Sequence, residues 1–173
     1  MVIGSLPSSL VRSLVEPEIR ASFVNCSKGE AKRLHLPADL AGRPWRDLDY
    51  LGWRDPQAPQ RGYLVAEHAG VLCGVVLRAP EHGVARRSSM CGLCLTQRSR
   101  GVALLVAPKA GKAGLRGHST GEQMCADLAC SLYVRGRLRD SGPIVYETLS
   151  VEDKVARLRT NLDAFLARVL RPA

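Results

Sequence analysis

Apolar residues recur at helical spacing most clearly near the C-terminal end of the chain. They follow one another mainly at steps of three and four, as Val151, Val155, Leu158, Leu162, Phe165, Leu166 and Val169, which is the pattern of a helix with one buried face. Ser150 stands where an N-cap belongs, and Glu152 and Asp153 would place negative charge in the first turn, where the helix dipole favours it. The pattern predicts a helix from Val151 to Leu170.

The segment from Glu18 to Leu36 predicts two short helices rather than one, because turn-forming residues at 25–27 and a glycine at 29 interrupt it. The first helix should carry Ile19, Phe23 and Val24 toward the core. The second should begin near Ser27, whose hydroxyl can form a capping box with Glu30, and it should end before Pro37.

Two β-hairpins are predicted in the middle of the chain. The apolar runs Tyr63–Glu67 and Val71–Arg78 form the first. A strand at Val102–Ala107 and a weaker return strand at Ser119–Met124 form the second, joined by a Gly- and Lys-rich turn over 108–117. A helix from Asp127 to Leu138 should follow. Helices and hairpins in this order indicate an α+β fold.

Residues 38–61 contain three prolines and both tryptophans, which favours a loop pinned to the core by aromatic and aliphatic side chains. The anchors expected there are Trp45, Leu48, Leu51 and Trp53. The first fifteen residues carry no comparable pattern. We expect residues 1–15 to be flexible and the rest of residues 1–173 to form a single domain.

Composition points to a cytoplasmic protein that is not a membrane protein. No apolar run approaches the roughly 18 residues that a membrane-spanning helix requires, and the N-terminal residues lack the features of a secretory signal. Thiols stay reduced in the cytosol. The six cysteines of the chain are therefore expected to bind metal or to be buried, rather than to form disulfides.

Four of these cysteines form two closely spaced pairs. Two residues separate Cys91 from Cys94, thirty separate the pairs, and four separate Cys125 from Cys130. Four thiolates complete the tetrahedral shell of Zn²⁺ and leave no position for water, so one structural zinc is expected. Positions five apart on a helix point about 140° away from each other. Cys125 should therefore precede the helix and Cys130 should lie in its first turn, with Asp127 as the N-cap.

A knuckle, a hairpin and a ligand pair at the start of a helix form a treble clef, with β-hairpins and helices around the zinc. Four unrelated buried cysteines are the plain alternative, and a redox CxxC would need a βαβ context that the sequence lacks near Cys91. Cys26 and Cys73 lie outside both pairs and are expected in the core. His118 could replace one thiolate only if one of the four cysteines were not a ligand, and His35, His68 and His82 lack partner spacing.

The chain does not read as an enzyme. Residues 117–121 match the letters of the G-x-S-x-G nucleophile elbow, but a glycine- and lysine-rich turn precedes Ser119 where that motif requires a strand. The glycines and lysines at 109–117 do not fit a Walker A motif. No H-x-E or H-E-x-x-H element accompanies the cysteines, so we expect no catalytic residues.

Positive charge is concentrated in the middle of the chain. The formal net charge is +9, and residues 81–140 hold ten Lys or Arg against four acidic residues. Such a segment fits a protein that binds nucleic acid, the ribosome or an acidic protein. A well-solvated surface is the alternative.

Four blocks of sequence carry a resemblance to a known family: IRASFVNCSKGEAKRL at 19–34, LDYLGWRDP at 48–56, MCGLCLT at 90–96 and MCADLACSLYVRG at 124–136. The chain resembles the elongation factor G-binding proteins, which include the FusB-type fusidic acid resistance proteins, and especially their short actinobacterial relatives. The resemblance implies a treble-clef zinc domain in which Cys91, Cys94, Cys125 and Cys130 are the ligands.

The resemblance also implies a partner. Larger members place a helical bundle before this domain, bind elongation factor G and help it leave a ribosome on which fusidic acid has trapped it. Only about fifteen residues precede the similar region here, so we expect that bundle to be absent, and drug resistance does not follow directly. The expectation is a non-enzymatic zinc protein that binds elongation factor G and promotes its release from the ribosome. The alternative is a zinc protein that binds the ribosome or RNA directly.

A structural zinc would leave partner binding to the surface around it. The contacts expected are Leu93 at the tip of the knuckle, Lys109, Lys112 and Arg116 on the second hairpin, and Tyr133, Arg135 and Arg137 on the following helix.

Overall fold

A five-stranded antiparallel sheet organises the chain, in the spatial order Leu51–Arg54, Arg61–His68, Val71–Arg78, Val102–Pro108 and Ser119–Cys125. The computed structural model describes residues 12–80, 89–98, 101–140 and 146–172. The strands are β1 Leu51–Arg54, β2 Arg61–His68, β3 Val71–Arg78, β4 Ser89–Met90, β5 Gln97–Arg98, β6 Val102–Pro108 and β7 Ser119–Cys125. The helices are α1 Glu16–Ser22, α2 Lys28–Arg33, α3 Gly111–Leu115, α4 Cys130–Val134 and α5 Val151–Leu170. These elements confirm the α+β class.

Both predicted hairpins are present. Strands β2 and β3 pair along their whole length from Arg61↔Arg78 to His68↔Val71. They are joined at Ala69 and Gly70, which both have positive φ, of 50° and 77°, as a two-residue hairpin turn of type I′ requires. Strands β6 and β7 pair from Val102↔Cys125 to Pro108↔Ser119.

The two hairpins meet through a side chain as well as through backbone pairing. Strand β3 pairs with β6 at Arg78↔Val106. Beside it, Asn25 Nδ2 donates to the carbonyl oxygens of Val76 and Pro108, each at 3.0 Å, and Asn25 Oδ1 accepts from Val76 N at 2.8 Å. The Asn25 amide thus acts as a short piece of backbone that joins β3 to the end of β6.

Helix α5 has the bounds that the sequence predicts, and Ser150 Oγ accepts from Asp153 N at 3.1 Å as its N-cap. Its buried side chains are Leu158, Leu162, Phe165, Leu166 and Val169. Val151 is largely exposed, so the buried face begins about a turn later than the apolar pattern suggests.

The two N-terminal helices are also confirmed. Ser27 caps α2 and forms the predicted capping box with Glu30. Phe23 and Val24 follow α1 rather than lying on it: Phe23 forms a bridge with Gly74, and Val24 N donates to the Gly74 carbonyl oxygen at 2.9 Å. A Cβ atom on Gly74 would lie 2.5 Å from Ser22 Oγ, so this close approach requires glycine.

Three local predictions were wrong in extent or kind. The loop over 38–61 contains β1, which pairs with β2 from Leu51↔Val65 to Arg54↔Gly62. The turn over 108–117 contains the short helix α3. Helix α4 covers five residues rather than Asp127 to Leu138, because a left-handed Leu128 precedes it and a left-handed Gly136 follows its C-cap. Ala129, not Asp127, is its N-cap.

The remaining sequence expectations concern the N-terminal segment, the two cysteines outside the pairs, and membrane-spanning helices. Most of the predicted flexible segment 1–15, and His82, lie outside those residues, although Leu14 is described and is buried in the core. Cys73 is buried as predicted, whereas Cys26 is only partly buried. No helix in the described ranges is long and apolar enough to span a membrane.

Candidate metal centre and partner surface

The sulfur atoms of Cys91, Cys94, Cys125 and Cys130 lie within 4.8 Å of one another, and all four residues are fully buried. The Cys91 and Cys130 sulfurs are 3.6 Å apart, and the Cys94 and Cys125 sulfurs are 3.7 Å apart. A disulfide would need about 2.05 Å. Tetrahedral zinc with Zn–S bonds of about 2.3 Å places its sulfurs about 3.8 Å apart. The spacing therefore fits four ligands of one zinc ion.

Short elements aim each pair of sulfurs inward. Strands β4 and β5 bracket the knuckle, in which Cys94 N donates to Cys91 Sγ at 3.5 Å and Leu95 N donates to the Cys91 carbonyl oxygen at 2.8 Å. Cys125 ends β7 and Cys130 begins α4. Knuckle, hairpin and helix start thus form the predicted treble clef.

Backbone strain accompanies both cysteine pairs. Leu95 directly follows Cys94 and has a φ of 54°, and Leu128 lies between Cys125 and Cys130 with a φ of 57°. Left-handed backbone costs a leucine about 1–2 kcal/mol. Such a conformation persists where the surrounding structure determines it, and here it turns the chain so that each pair of sulfurs converges.

Helix α5 and the second hairpin hold the knuckle in place. Asn161 Nδ2 donates to the Leu93 carbonyl oxygen at 2.9 Å, and Arg157 Nη2 donates to the Cys94 carbonyl oxygen at 3.2 Å. Gly92 N donates to the Gln123 carbonyl oxygen on β7 at 2.6 Å. The Leu93 side chain is 0% exposed. The prediction of Leu93 as a partner contact was therefore wrong, because the tip of the knuckle packs into the core.

A buried phenol lies beside the sulfurs. Tyr50 is fully buried, and its hydroxyl makes no hydrogen bond of ordinary geometry in the described structure. Burial raises its pKa well above the ordinary value, and interaction with Cys130 raises it further. A zinc-bound thiolate is a stronger acceptor than a thiol. An otherwise unsatisfied O–H next to Cys130 is thus better accommodated when zinc is bound.

The four thiols perturb one another strongly. Hydrogen bonds from Cys125 and Cys130 lower the pKa of Cys94, while hydrogen bonds with the other cysteines and burial raise the pKa of Cys130 well above its usual value. A bound divalent ion deprotonates coordinating thiols outright. The donor set therefore fits zinc, and four thiolates would leave no open position for a reacting water.

The candidate contacts on and after α4 are engaged within the protein. Arg135 binds Asp49 through both guanidinium nitrogens, at 2.6 and 3.0 Å, with its side chain 12% exposed. Arg137 Nε lies 3.2 Å from Asp47 Oδ2, and Tyr133 Oη donates to Asp127 Oδ2 at 2.6 Å. Sequence analysis missed Asp49, whose partners lie 86 and 110 residues away in the chain. Arg135 is a structural residue rather than an open contact.

The candidate contacts on the second hairpin remain accessible. Lys112 and Arg116 are exposed and Lys109 is partly exposed, and among the described residues none of the three has a carboxylate within salt-bridge distance. Between them Leu115 is 90% exposed, a feature that the sequence did not single out. We call Lys109, Lys112, Leu115 and Arg116 the α3 ridge.

The α3 ridge lies far from the cysteines. Cys125 is at one end of β7 and Ser119 is at the other, which corresponds to about 20 Å at roughly 3.3 Å per residue. His118 is therefore too far from the cysteine cluster to be a ligand. Ser119 opens a strand instead of lying between a strand and a helix, so the nucleophile-elbow geometry is not present there.

Comparison with known proteins gives the family. The model of the FBP C-terminal treble-clef zinc-finger family matches residues 18–169. Among solved structures, that of the fusidic acid resistance protein FusC matches with 18% sequence identity and a TM-score of 0.46, over 60% of this chain and 46% of the FusC chain. The chain thus spans under half the length of FusC. No curated protein sequence matches it. Since the family model covers most of the chain and four cysteines cluster as described, the protein belongs to the FBP C-terminal treble-clef zinc-finger family and carries a structural zinc.

Proposed function

We propose that this chain is a non-enzymatic protein that binds translation elongation factor G and promotes its release from the ribosome. Cys91, Cys94, Cys125 and Cys130 hold the zinc that fixes the fold, and the α3 ridge makes the contact. Family membership supports the partner class. The observation that carries the proposal is the exposed Leu115 flanked by cations that have no carboxylate partner in the described part of the chain.

This surface has the chemistry of a protein interface. Interfaces gain most of their energy from a few anchor side chains that enter pockets on the partner, surrounded by contacts that exclude water. Leu115 would be the anchor, and Lys112 and Arg116 would lie at the rim. The fitting partner surface is an apolar hollow with acidic residues around it.

The ridge is held in a defined conformation. Ala113 on α3 is buried, and Ala110 N donates to the Val169 carbonyl oxygen of α5 at 2.9 Å. A Cβ atom on Gly114 would lie 1.9 Å from the Lys109 carbonyl oxygen, so glycine is needed for α3 to fold back on the end of β6. Such a preformed surface loses little conformational entropy when it binds.

Substitutions in the ridge test the proposal. The double variant Lys112→Glu, Arg116→Glu should bind surface-immobilised elongation factor G with a lower association rate and an altered salt dependence, because rim charges steer the encounter. Leu115→Ala should raise the dissociation rate by about 5- to 30-fold, the effect of losing an anchor worth roughly 1–2 kcal/mol. Arg46→Glu, at an exposed arginine outside the ridge, is the matched control. Circular dichroism and zinc content confirm folding.

The same experiment addresses the alternative of direct RNA or ribosome binding. Phosphate contacts give a steep linear fall of log affinity with log salt, and they do not use an exposed leucine. If Leu115→Ala binds like the parent while ribosomal RNA retains the parent and not the double variant, the RNA alternative holds. If the double variant binds the factor as well as the parent at low salt, the α3 ridge is not the contact surface.

A further inference from the structure

A pocket of about 420 Å³ lies away from the zinc, between α2, β2 and the loop that follows β1. Its size is within the range of small-ligand sites, about 300–1,000 Å³. The proposed function does not use it. The residues of interest in its wall are Glu30, Arg33, His35, Asp55, Arg61 and Tyr63.

Both acidic residues of the pocket already accept hydrogen bonds from other groups of the protein. Asp55 is buried and accepts from Tyr63 Oη at 2.7 Å and from Gln57 N at 2.9 Å, and His35 Nδ1 lies 3.4 Å from its Oδ1. Glu30 Oε2 accepts from both the backbone N and the hydroxyl of Ser27, each at 2.9 Å. Neither carboxylate is available as the main partner of a ligand cation.

The two arginines of the pocket, by contrast, form no salt bridge within the described protein. Several arginines of the described chain pair with a carboxylate, as Arg43 does with Asp39 and Arg168 does with Glu122. Within the described ranges, Arg33 and Arg61 make no salt bridge to a carboxylate. The pocket therefore presents two guanidinium groups that lack a close anionic partner.

Cross-strand pairing adds to the positive charge. Arg61 of β2 lies directly opposite Arg78 of β3, and like charges in this position destabilise a sheet. Both arginines act electrostatically on Glu30, whose carboxylate serves the capping box of α2. A bound anion would offset this repulsion.

His35 also lines this pocket. Trp53 Nε1 donates to the His35 carbonyl oxygen at 2.8 Å, and His35 Nδ1 lies 3.4 Å from Asp55 Oδ1. Two arginines and a histidine that line one pocket are a recognition set for a tetrahedral oxyanion, since guanidinium groups bind phosphate through paired N–H donors.

We propose that this pocket binds the phosphate group of a small phosphate monoester, with Arg33 and Arg61 contacting the phosphate oxygens and His35 lining the same wall. The remaining volume would accept the organic part of the ligand. This site does not depend on elongation factor G binding, and its test leaves the α3 ridge unchanged.

Inorganic phosphate and adenosine monophosphate are the probes, added to the zinc-loaded full chain at constant ionic strength and followed by ¹H–¹⁵N correlation spectra. We expect saturable shifts at Arg33 and Arg61 and at the amides of Asp55, Gln57 and Ala58. Arg33→Gln and Arg61→Gln should each weaken phosphate binding by about tenfold or more, the effect of losing one charge-assisted contact. Arg46→Gln, outside the pocket, should bind like the parent. Adenosine monophosphate should bind at least as tightly as phosphate.

Shifts that rise linearly without saturation, or that are equal in Arg61→Gln and Arg46→Gln, would overturn the proposal. So would saturable binding of a short single-stranded RNA at this pocket when neither phosphate nor the nucleotide binds, because the site would then recognise a polymer backbone. Both pocket arginines are exposed, so their substitution should leave the fold intact, which unfolding and zinc content verify.

Discussion

Asp49→Asn should destabilise the protein more than any other substitution of a single charge that we consider. The Asp49 side chain is 0% exposed and binds Arg135 at 2.6 and 3.0 Å and Arg159 Nε at 2.9 Å. Its backbone N donates to Ser131 Oγ at 2.9 Å. One carboxylate thereby ties the segment before β1 to α4 and α5.

The expected loss in free energy of unfolding follows from the burial of this ion pair. Removing one partner of a buried ion pair costs about 3–5 kcal/mol, because the remaining charge is left uncompensated in a poorly solvated position. Arg159 is 27% exposed, so water will screen part of that loss, and we expect about 3 kcal/mol. Asp47→Asn is the matched control: its partner Arg137 is 65% exposed, and exposed pairs contribute about 0–1 kcal/mol.

Urea denaturation of zinc-saturated protein, followed by far-ultraviolet circular dichroism, measures these free energies of unfolding. A double-mutant cycle with Arg135→Gln should give a coupling energy of about 2 kcal/mol with Asp49→Asn, within the range for residues in direct contact. The reasoning is refuted if Asp49→Asn costs no more than Asp47→Asn. Folded Arg135→Gln should also bind elongation factor G like the parent, since Arg135 is a structural residue.

Three further predictions follow from single contacts. Asn25→Ala should cost about 2–4 kcal/mol in thermal unfolding, from three hydrogen bonds at about 0.5–1.5 kcal/mol each; a loss below about 0.5 kcal/mol would contradict the bridging role. Tyr50→Phe should release zinc to a chromophoric chelator several-fold faster, with little change in fold, because the zinc-bound Cys130 thiolate would lose the neighbouring phenol as a donor; an unchanged rate would show that the phenol does not donate to it. Burial opposes ionisation of Asp55, but hydrogen bonds from Tyr63 and its neighbours outweigh it and lower its pKa. Its stabilisation should be complete above about pH 4 and disappear as the pH falls further, so the unfolding curves of parent and Asp55→Asn should converge in acid and not at neutral pH.

Local patterns predicted the elements whose signals are complete within a few residues. Apolar residues at steps of three and four, with Ser150 as the N-cap, predicted the bounds of α5. The capping box of Ser27 and Glu30 predicted the start of α2. The spacing of the two cysteine pairs located the metal cluster, because the geometry of zinc restricts how such pairs can converge.

Features that depend on distant residues escaped prediction. Strand β1 is short and follows prolines, and it exists because β2 supplies its hydrogen bonds. The partners of Asp49 lie on α5 and next to α4, so no local pattern distinguishes Arg135 from the open Arg116. Leu93 lies between the two cysteines of the CxxC knuckle, where the sequence predicts an exposed tip. The packing of α5 against the knuckle buries it instead.

The central claim is that the zinc-loaded chain binds elongation factor G directly through the α3 ridge. Isothermal titration calorimetry of purified elongation factor G, free of ribosomes and RNA, with the zinc-loaded chain tests it most directly. The account predicts saturable binding at one chain per factor, weakened about 5- to 30-fold by Leu115→Ala and unchanged by Arg46→Glu. No saturable heat with the purified factor, under conditions in which the chain is folded and holds one zinc, would contradict it.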